Sequence, residues 1–530
     1  MHFVAVNELA RTSRLAALAI ALVVATPLLA QETLVEIGAT PSEDVVAISK
    51  TGLDKAIAAL PAVVTDTLAR SGVPGAAVAV VHGGEIIFQQ GFGVRELGKP
   101  EPVEPGTVFQ IASLSKPLTA SVIAVEITKG VAAWDDPVAR HLPGFSLRDP
   151  YVAAHATIGD FMAHHSGLPF AAGDSLEDLG FDRRQIIERL SQLPLDSFRA
   201  SYHYANFGTT IAAEAVAAAS RKKWEDLAEQ ALFRPLGMSS TSSRHADYLA
   251  RDNRAVLHAL EDGKFQPLHD RNPDEQSPAG GVSSSVLDLA QWLNFLLANG
   301  RHDGEQLASA DALRAAMSPH SLSAPAHNID ARAGFYGYGF NIGVNANGRT
   351  SFSHSGAFVL GAATSFQIIP SADIGIVVLT NGSPVGAAES IGMHFMDIVQ
   401  YGQPLRDWYA GYNALLRAYF DPEGDLAGKA PPAPSQPAQD LDAYAGHYQS
   451  AYFGTADIEI DQQQLILTLG PKRERFVMAH WDGDTFAIAP RSENAPEGSR
   501  SSVQFSMHDG EARGFTIEYL NKNGMATWQR

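Results

Sequence analysis

Apolar positions change their period along the chain, and the changes divide it into regions. Residues 15 to 30 are uncharged and largely apolar, and they follow Arg11 and Arg14. Between about 53 and 70, Leu53, Ile57, Leu60, Val64 and Leu68 recur at the spacing of one helix face. Gly72-Val73-Pro74-Gly75 breaks that run. Two β-rich runs, 76–81 and 86–90, are joined through His82-Gly83-Gly84-Glu85, which predicts a hairpin. An Ala-rich helical stretch follows to about 320. Strand patterning returns at 335–344, 350–355, 362–369 and 374–380. Strands at both ends with helices between them predict one sheet, closed by N- and C-terminal strands around a helical insertion.

Residues 385–420 read as helical. Trp408, Tyr409, Tyr412, Leu415, Leu416, Tyr419 and Phe420 form an apolar side there, expected to pack against a neighbouring domain. Ala430-Pro431-Pro432-Ala433-Pro434-Ser435-Gln436-Pro437 reads as a stiff linker. Beyond it, seven short alternating runs at 456–460, 465–469, 476–480, 485–489, 503–507, 515–519 and 526–529 predict a small antiparallel sandwich or barrel.

Composition narrows the class. A chain of 530 residues is too long for one ordinary core. Acidic residues outnumber basic ones by 58 to 39, which argues against a nucleic-acid partner. The absence of cysteine excludes a thiol nucleophile, a Cys-ligated metal site, a disulfide framework and a Cys-anchored lipoprotein. The basic start, short apolar centre and small-residue end at Ala30 describe a secretory signal peptide over 1–30. Such a leader predicts a periplasmic or secreted protein with no stable membrane insertion after cleavage.

With no cysteine, a covalent hydrolase needs Ser, Thr, Asp or Lys. Neither Gly-x-Ser-x-Gly nor His-Glu-x-x-His occurs, and His164-His165 are neighbours that face different ways on a helix, so no metal site is expected. Ser113-Leu114-Ser115-Lys116 opens a helix whose Leu118, Val122 and Val125 follow at helical spacing. Residues three apart on a helix are neighbours, so Lys116 can reach the Ser113 hydroxyl. A serine at a helix start also sits among free backbone N–H groups that favour an oxyanion. The same spacing recurs in Ser220-Arg221-Lys222-Lys223, which reads as a solvated charged face. Tyr204-Ala205-Asn206 supplies a phenol and an amide before another helix; Tyr519-Leu520-Asn521 repeats the pattern in an expected strand. His354-Ser355-Gly356-Ala357 lies on a strand, and its glycine lets a substrate backbone approach; His-x-Gly recurs at His82, His165 and His508.

Taken in order, Ser113…Lys116, Tyr204…Asn206 and His354…Gly356 resemble the serine β-lactamase and penicillin-binding-protein superfamily, most closely its class C-like serine hydrolases. The segments 156–169, 233–241 and 278–282 resemble framework loops of that family over about residues 50–400. The resemblance implies an α+β fold: a β-lactamase/DD-peptidase-like antiparallel sheet flanked by helices, with a helical subdomain. A small all-β domain follows, resembling a lipocalin-like module through Tyr444-Ala445-Gly446-His447-Tyr448. The domains are then 1–30 leader, 31–50 lead-in, 51–400 hydrolase, 401–438 helix and linker, and 439–530 β domain.

Carried over residue by residue, the family implies Ser113 as nucleophile, with Lys116 and Tyr204 sharing the proton transfer. Which of those two is the base stays open. Asn206, His354, Ser355 and Gly356 match substrate-binding positions, and the backbone N–H groups of Ser113 and Ala357 match the oxyanion hole. No metal or organic cofactor is implied. Many β-lactamases carry Lys-Thr-Gly where this chain has His354-Ser355-Gly356, and a neutral imidazole offers a substrate carboxylate less than lysine does. The expected activity is an exported serine hydrolase cleaving an ester or amide, of esterase, D-amino-acid peptidase or DD-peptidase type, with a small molecule or peptide as substrate. The alternatives are a slowly turning over penicillin-binding or sensor protein, or a true β-lactamase. The β domain is expected to shape the cleft or to mediate oligomerisation.

Overall fold

The computed structural model describes residues 48–530. The expected leader, and the lead-in up to residue 47, lie outside the described residues. Helix α1 (Lys50–Ser71) begins where the Ser49 hydroxyl accepts from the Gly52 N–H, and stops at Gly72, whose φ of 74° would strain any side chain. The hairpin follows as β1 (Gly75–His82) and β2 (Glu85–Gly93). Gly83 and Gly84 both take positive φ, as a primed two-residue turn requires. The helical insertion includes α2 (Ser115–Thr128), α3 (Ile158–Met162), α4 (Asn206–Ser220) and α5 (Val286–Leu297).

The chain then re-enters the sheet through β3 (Ser321–Ala324), β4 (Gly334–Tyr336), β5 (Asn341–Val344), β6 (Thr350–Phe358), β7 (Ala362–Ile369) and β8 (Ile374–Thr380). The sheet is antiparallel in the order β2-β1-β8-β7-β6-β5-β4-β3, so β1 and β8 join the two ends of the unit. The run expected as one strand over 335–344 is two strands. The Gly337 N–H donates to the Phe340 carbonyl at 2.8 Å and turns the chain between them.

Side chains alternate across β1, and both faces are covered. Ala76, Val78 and Val80 pack with Leu60 and Val64 of α1 and with Ile391 and Phe395 of α6 (Ala387–Tyr401). Ala77, Ala79 and Val81 join a core with Trp292 and Leu293 of α5. That double burial explains an apolar run without polar alternation. Helix α7 (Trp408–Leu416), in the aromatic stretch, packs on α6 and α1: Trp408 Nε1 donates to Asp397 at 2.6 Å, and Arg70 stands 5.0 Å over the Tyr409 ring.

The C-terminal strands form a closed antiparallel barrel. They are β9 (Gly446–Ser450), β10 (Gly454–Asp461), β11 (Gln464–Leu469), β12 (Glu474–Asp482), β13 (Thr485–Ile488), β14 (Ser501–His508), β15 (Glu511–Ile517) and β16 (Thr527–Gln529). Seven of the eight match the expected runs. The eighth, β9, closes the ring by pairing with β10 and, at Gln449 opposite Gln529, with β16. Closure leaves no free edge. Tyr448, Phe515 and Trp528 fill the interior at ring separations of 5.0 and 5.2 Å. Tyr519-Leu520-Asn521 lies in a turn beyond β15, not in the expected strand.

Candidate active site

Ser113 is the half-exposed residue in an otherwise buried run from Val108 to Ala120. It sits in a single 3-10 turn, Ala112–Leu114, immediately before α2. Ala112 takes a φ of 47°, a left-handed conformation that costs a non-glycine residue about 1 kcal/mol or more. Neighbours hold it there. The Ser115 hydroxyl donates to the Ala112 carbonyl at 2.7 Å, and Thr364 Oγ1 on β7 donates to the Ile111 carbonyl at 2.8 Å.

Lys116, on the first turn of α2, is fully buried. Its Nζ lies 3.1 Å from Ser113 Oγ, 2.7 Å from Asn206 Oδ1 and 3.0 Å from the Ala279 carbonyl oxygen. Burial lowers its pKa to about 7, against the opposing pull of Asp174. A neutral amine has two N–H donors and one lone pair. With the donors on Asn206 and Ala279, the lone pair faces the Ser113 hydroxyl.

Tyr204 stands on the other side, its ring centroid 4.5 Å from Lys116 Nζ and its hydroxyl in hydrogen-bond contact with Ser113. Burial raises the phenol well above its ordinary range. His164, Tyr202, Tyr336 and His354 surround it as an aromatic wall; the His164 and Tyr204 centroids are 4.4 Å apart. His164 is buried, and its Nδ1 accepts from the Ala205 N–H at 3.3 Å. His165 points elsewhere, with Nε2 on Asp160 at 2.9 Å; the pair faces different ways, but from the turn after α3, where His164 takes a φ of 57°, and not on the expected helix.

Asn206 is the first residue of α4. Its Nδ2 donates to Asp174 Oδ2 at 3.0 Å. Asp174 is buried on the short helix Asp174–Asp178, and desolvation raises its carboxyl to about 8. Spacing gave no signal for Asp174, which reaches the site only through the fold. The same holds for Tyr336, whereas the Ala279 carbonyl belongs to segment 278–282, which the sequence marked only as a framework loop.

Strand β6 brings the last motif to Ser113. A Cβ on Gly356 would stand 2.2 Å from the Ile111 carbonyl oxygen and 3.1 Å from the Ser113 nitrogen. Only glycine lets the strand lie that close. His354 is buried with both ring nitrogens engaged: Nδ1 at 2.7 Å from its neighbour's carbonyl at Ser355, and Nε2 at 2.9 Å from the Tyr336 hydroxyl. A carbonyl can only accept, so Nδ1 carries the proton and Nε2 accepts from Tyr336. Burial, and the nearby Lys116, lower His354 to about 3, leaving it neutral. The Ser355 hydroxyl faces the buried carboxyl of Glu389 on α6, whose Oε2 has no partner.

Thus Ser113, Lys116, Tyr204, Asn206, His354, Ser355 and Gly356 come together at one place. The competing copies of the motifs do not join them: the Ser220 hydroxyl, for example, donates to Glu126 at 3.0 Å. Among the described residues, no cluster of three or more His, Asp or Glu side chains is placed to hold a metal ion. None of the described helices is long and apolar enough to cross a membrane.

A family profile described as Beta-lactamase matches residues 53–393, and the chain belongs to that family, whose members are metal-independent serine hydrolases acting through an acyl-enzyme. A second profile, a domain of unknown function (DUF3471), matches residues 430–527. The chain is similar to an unguisins hydrolase of Aspergillus campestris, at 25% identity over 76% of this chain and 78% of that protein. It is similar to penicillin-binding protein 4 of Amycolatopsis lactamdurans, at 27% identity over 71% and 93%. Among solved structures, the octameric penicillin-binding protein homologue from Pyrococcus abyssi shares the fold, with a TM-score of 0.59, 19% identity and coverage of 89% of this chain and 100% of that one. A class C β-lactamase from Rhodobacter sphaeroides matches with a TM-score of 0.53, at 20% identity over 64% and 98%.

Proposed function

We propose that this protein is an exported serine hydrolase that cleaves an ester or amide through an acyl-enzyme on Ser113. The observation that carries the reading is the 3.1 Å approach of a buried, near-neutral Lys116 amine to the Ser113 hydroxyl. Lys116, not Tyr204, is the base: burial pushes the lysine toward its neutral form but pushes the tyrosine away from phenolate. As Ser113 Oγ bonds to the substrate carbonyl carbon, its proton passes to the Lys116 lone pair. The carbonyl electron pair moves to oxygen, held by the backbone N–H groups of Ser113 and Ala357. Collapse breaks the ester or amide bond, and the leaving group takes the proton from Lys116 by way of the Tyr204 hydroxyl. Water then repeats the sequence on the acyl group and returns the proton to Ser113. No cofactor enters these steps.

Asn206 orients Lys116 with its oxygen, and its second Nδ2 hydrogen remains for a substrate acyl amide. His354 acts through Tyr336 and Ser355 as a positioning residue. Peptide-like amides are favoured as substrates by the relatives named for unguisins and by the D-alanyl-D-alanine-carboxypeptidase/endopeptidase of Escherichia coli, 24% identical over 62% of this chain. A dedicated β-lactamase is disfavoured, because the strand offers neutral His354 where a carboxylate would seek a cation. The test is intact-protein mass spectrometry with a fluorophosphonate, followed by a panel of esters, D-amino-acid amides and penicillins. A single adduct that disappears in Ser113→Ala is the expected result. An unlabelled, folded wild-type protein overturns the reading, and acylation without turnover on the whole panel would make the protein a receptor.

A further inference from the structure

The loop between barrel strands β13 and β14 does not lie free on the surface. Glu493 is half-buried, and its carboxylate accepts from the Val359 N–H at 2.6 Å and from the Leu360 N–H at 3.3 Å. Those two residues begin the turn between β6 and β7, with Phe358 alone between them and Ala357. The loop grips the hydrolase unit on two further elements. Ser492 Oγ and Asn494 Nδ2 both donate to Asp178 Oδ2, at 2.7 and 2.8 Å. Arg491 pairs with Glu261, and the Asp262 N–H donates to Glu497 at 3.0 Å. Asp178 closes the same short helix that begins with Asp174, the partner of Asn206.

Thus one loop of the barrel ties together the turn beside the oxyanion position and the helix behind Lys116. The turn needs such a partner. Its tip is tight, since a Cβ on Gly361 would stand 2.2 Å from the His258 nitrogen, and buried backbone N–H groups are costly without acceptors. Beside Glu493 lies the Arg271 guanidinium, which itself pairs with Glu177 at 2.5 Å and stands 5.4 Å over the Phe358 ring at the end of β6. The loop therefore reaches a prebuilt cradle of two N–H donors and one arginine.

We propose that the C-terminal barrel is a working part of the hydrolase: Glu493, as a positioning residue, fixes the β6–β7 turn and so aims the Ala357 N–H at the substrate carbonyl oxygen, which becomes the oxyanion as Ser113 attacks. This rests on the serine-hydrolase reading above. Loss of the Glu493 contacts leaves substrate recognition in place but blurs the donor that matters in the tetrahedral state. Small misplacements of such groups cost up to ~10²-fold in rate.

The test uses the full chain with Glu493→Ala, and with Glu493→Gln, which keeps one acceptor oxygen. Three quantities are read: kcat and KM for an ester substrate, the affinity of phenylboronic acid as a tetrahedral adduct of Ser113, and the thermal midpoint. In Glu493→Ala, kcat and boronate affinity should each fall about 10- to 100-fold with KM changed less than about 3-fold. Glu493→Gln should recover part of both. If Glu493→Ala does not fold, Ser492→Ala with Asn494→Ala, which loosens the loop from Asp178, should give the same split. Wild-type kcat and boronate affinity in a folded variant overturn the proposal alone. A wild-type chain that neither reacts with fluorophosphonate nor binds boronate overturns the hydrolase reading, and this one with it.

Discussion

Asn206 Oδ1 accepts from Lys116 Nζ at 2.7 Å, while the other end of the same amide donates to Asp174. With the Lys116 lone pair turned to Ser113, its N–H groups go to the amide oxygen and to the Ala279 carbonyl, and the amide NH2 is left to donate to Asp174 Oδ2. The amide therefore links a buried amine to a buried carboxyl without letting them meet. Direct contact would hold the amine as ammonium and remove its lone pair from Ser113.

This arrangement predicts the pH profile. The neutral amine is the working form, and Lys116 lies near 7, so the acylation rate should rise with pH and level off above about 8. In Asn206→Asp a carboxylate would stand where the amide oxygen is now. The opposite charge raises the amine's pKa, and the rising limb should move to higher pH with a large loss of rate at pH 7. Single-turnover acylation across pH 5–10 measures both. A limb that stays at its wild-type position in Asn206→Asp would show that Lys116 is not the group titrating.

Ser113 and Lys116 act on the same proton and should be non-additive. Each alanine variant alone should lower kcat by about 10⁴-fold or more, and the double variant should be no worse than the weaker single one. Steady-state kinetics with an activated ester decides the point. Independent, multiplying losses would place Lys116 outside the proton path.

Substrate charge is the next consequence. A carboxylate docking along β6 would meet the neutral His354 ring and a Ser355 hydroxyl backed by Glu389, with no fixed cation on the strand. A penicillin should therefore acylate Ser113 on the order of tenfold more slowly than its neutral ester, because its carboxylate gives up water without gaining a cation. A free acid that reacts as fast as its ester would mean that the carboxylate finds its cation elsewhere.

Local patterning carried some of this further than the rest. The Ser113–Lys116 pair was legible because both lie within one turn; Gly356 was expected to admit a substrate backbone, whereas a Cβ there would first meet the chain's own Ile111 and Ser113 backbone. The hairpin at Gly83-Gly84 and the central strands follow from turn chemistry and apolar runs. Other features depend on contacts distant in sequence. Asp174, Tyr336 and Glu493 have no local periodicity that marks them; they matter because the fold delivers them to Asn206, His354 and Val359. Strand β9 escaped notice because its five residues alternate weakly, and its reason to be a strand is ring closure with β16. The split at Gly337 was obscured by the β-rich residues on either side.

The loop that presents His164 to Tyr204 is held by charge, which predicts an acid-sensitive stability. Asp160 caps its own helix by accepting from the Thr157 N–H at 2.8 Å. It also accepts from Arg199 Nε at 2.9 Å and Nη2 at 2.8 Å, and it meets His165 Nε2 at 2.9 Å. Although burial opposes it, these partners hold the carboxyl far below its ordinary range. A carboxylate depressed in the folded state stabilises the protein at every pH above its unfolded value of about 4, and that contribution fades as pH falls through the folded value. At pH 7, Asp160→Asn should therefore lose roughly 2 kcal/mol, the scale of hydrogen bonds to a charged group. The difference from wild type should shrink progressively below about pH 4, where the unfolded carboxyl also takes up its proton. Urea unfolding of both proteins at pH 7 and at pH 3 measures the two gaps. Equal gaps at both pH values would show that the loop is held by packing alone and that the Asp160 charge contributes nothing to it.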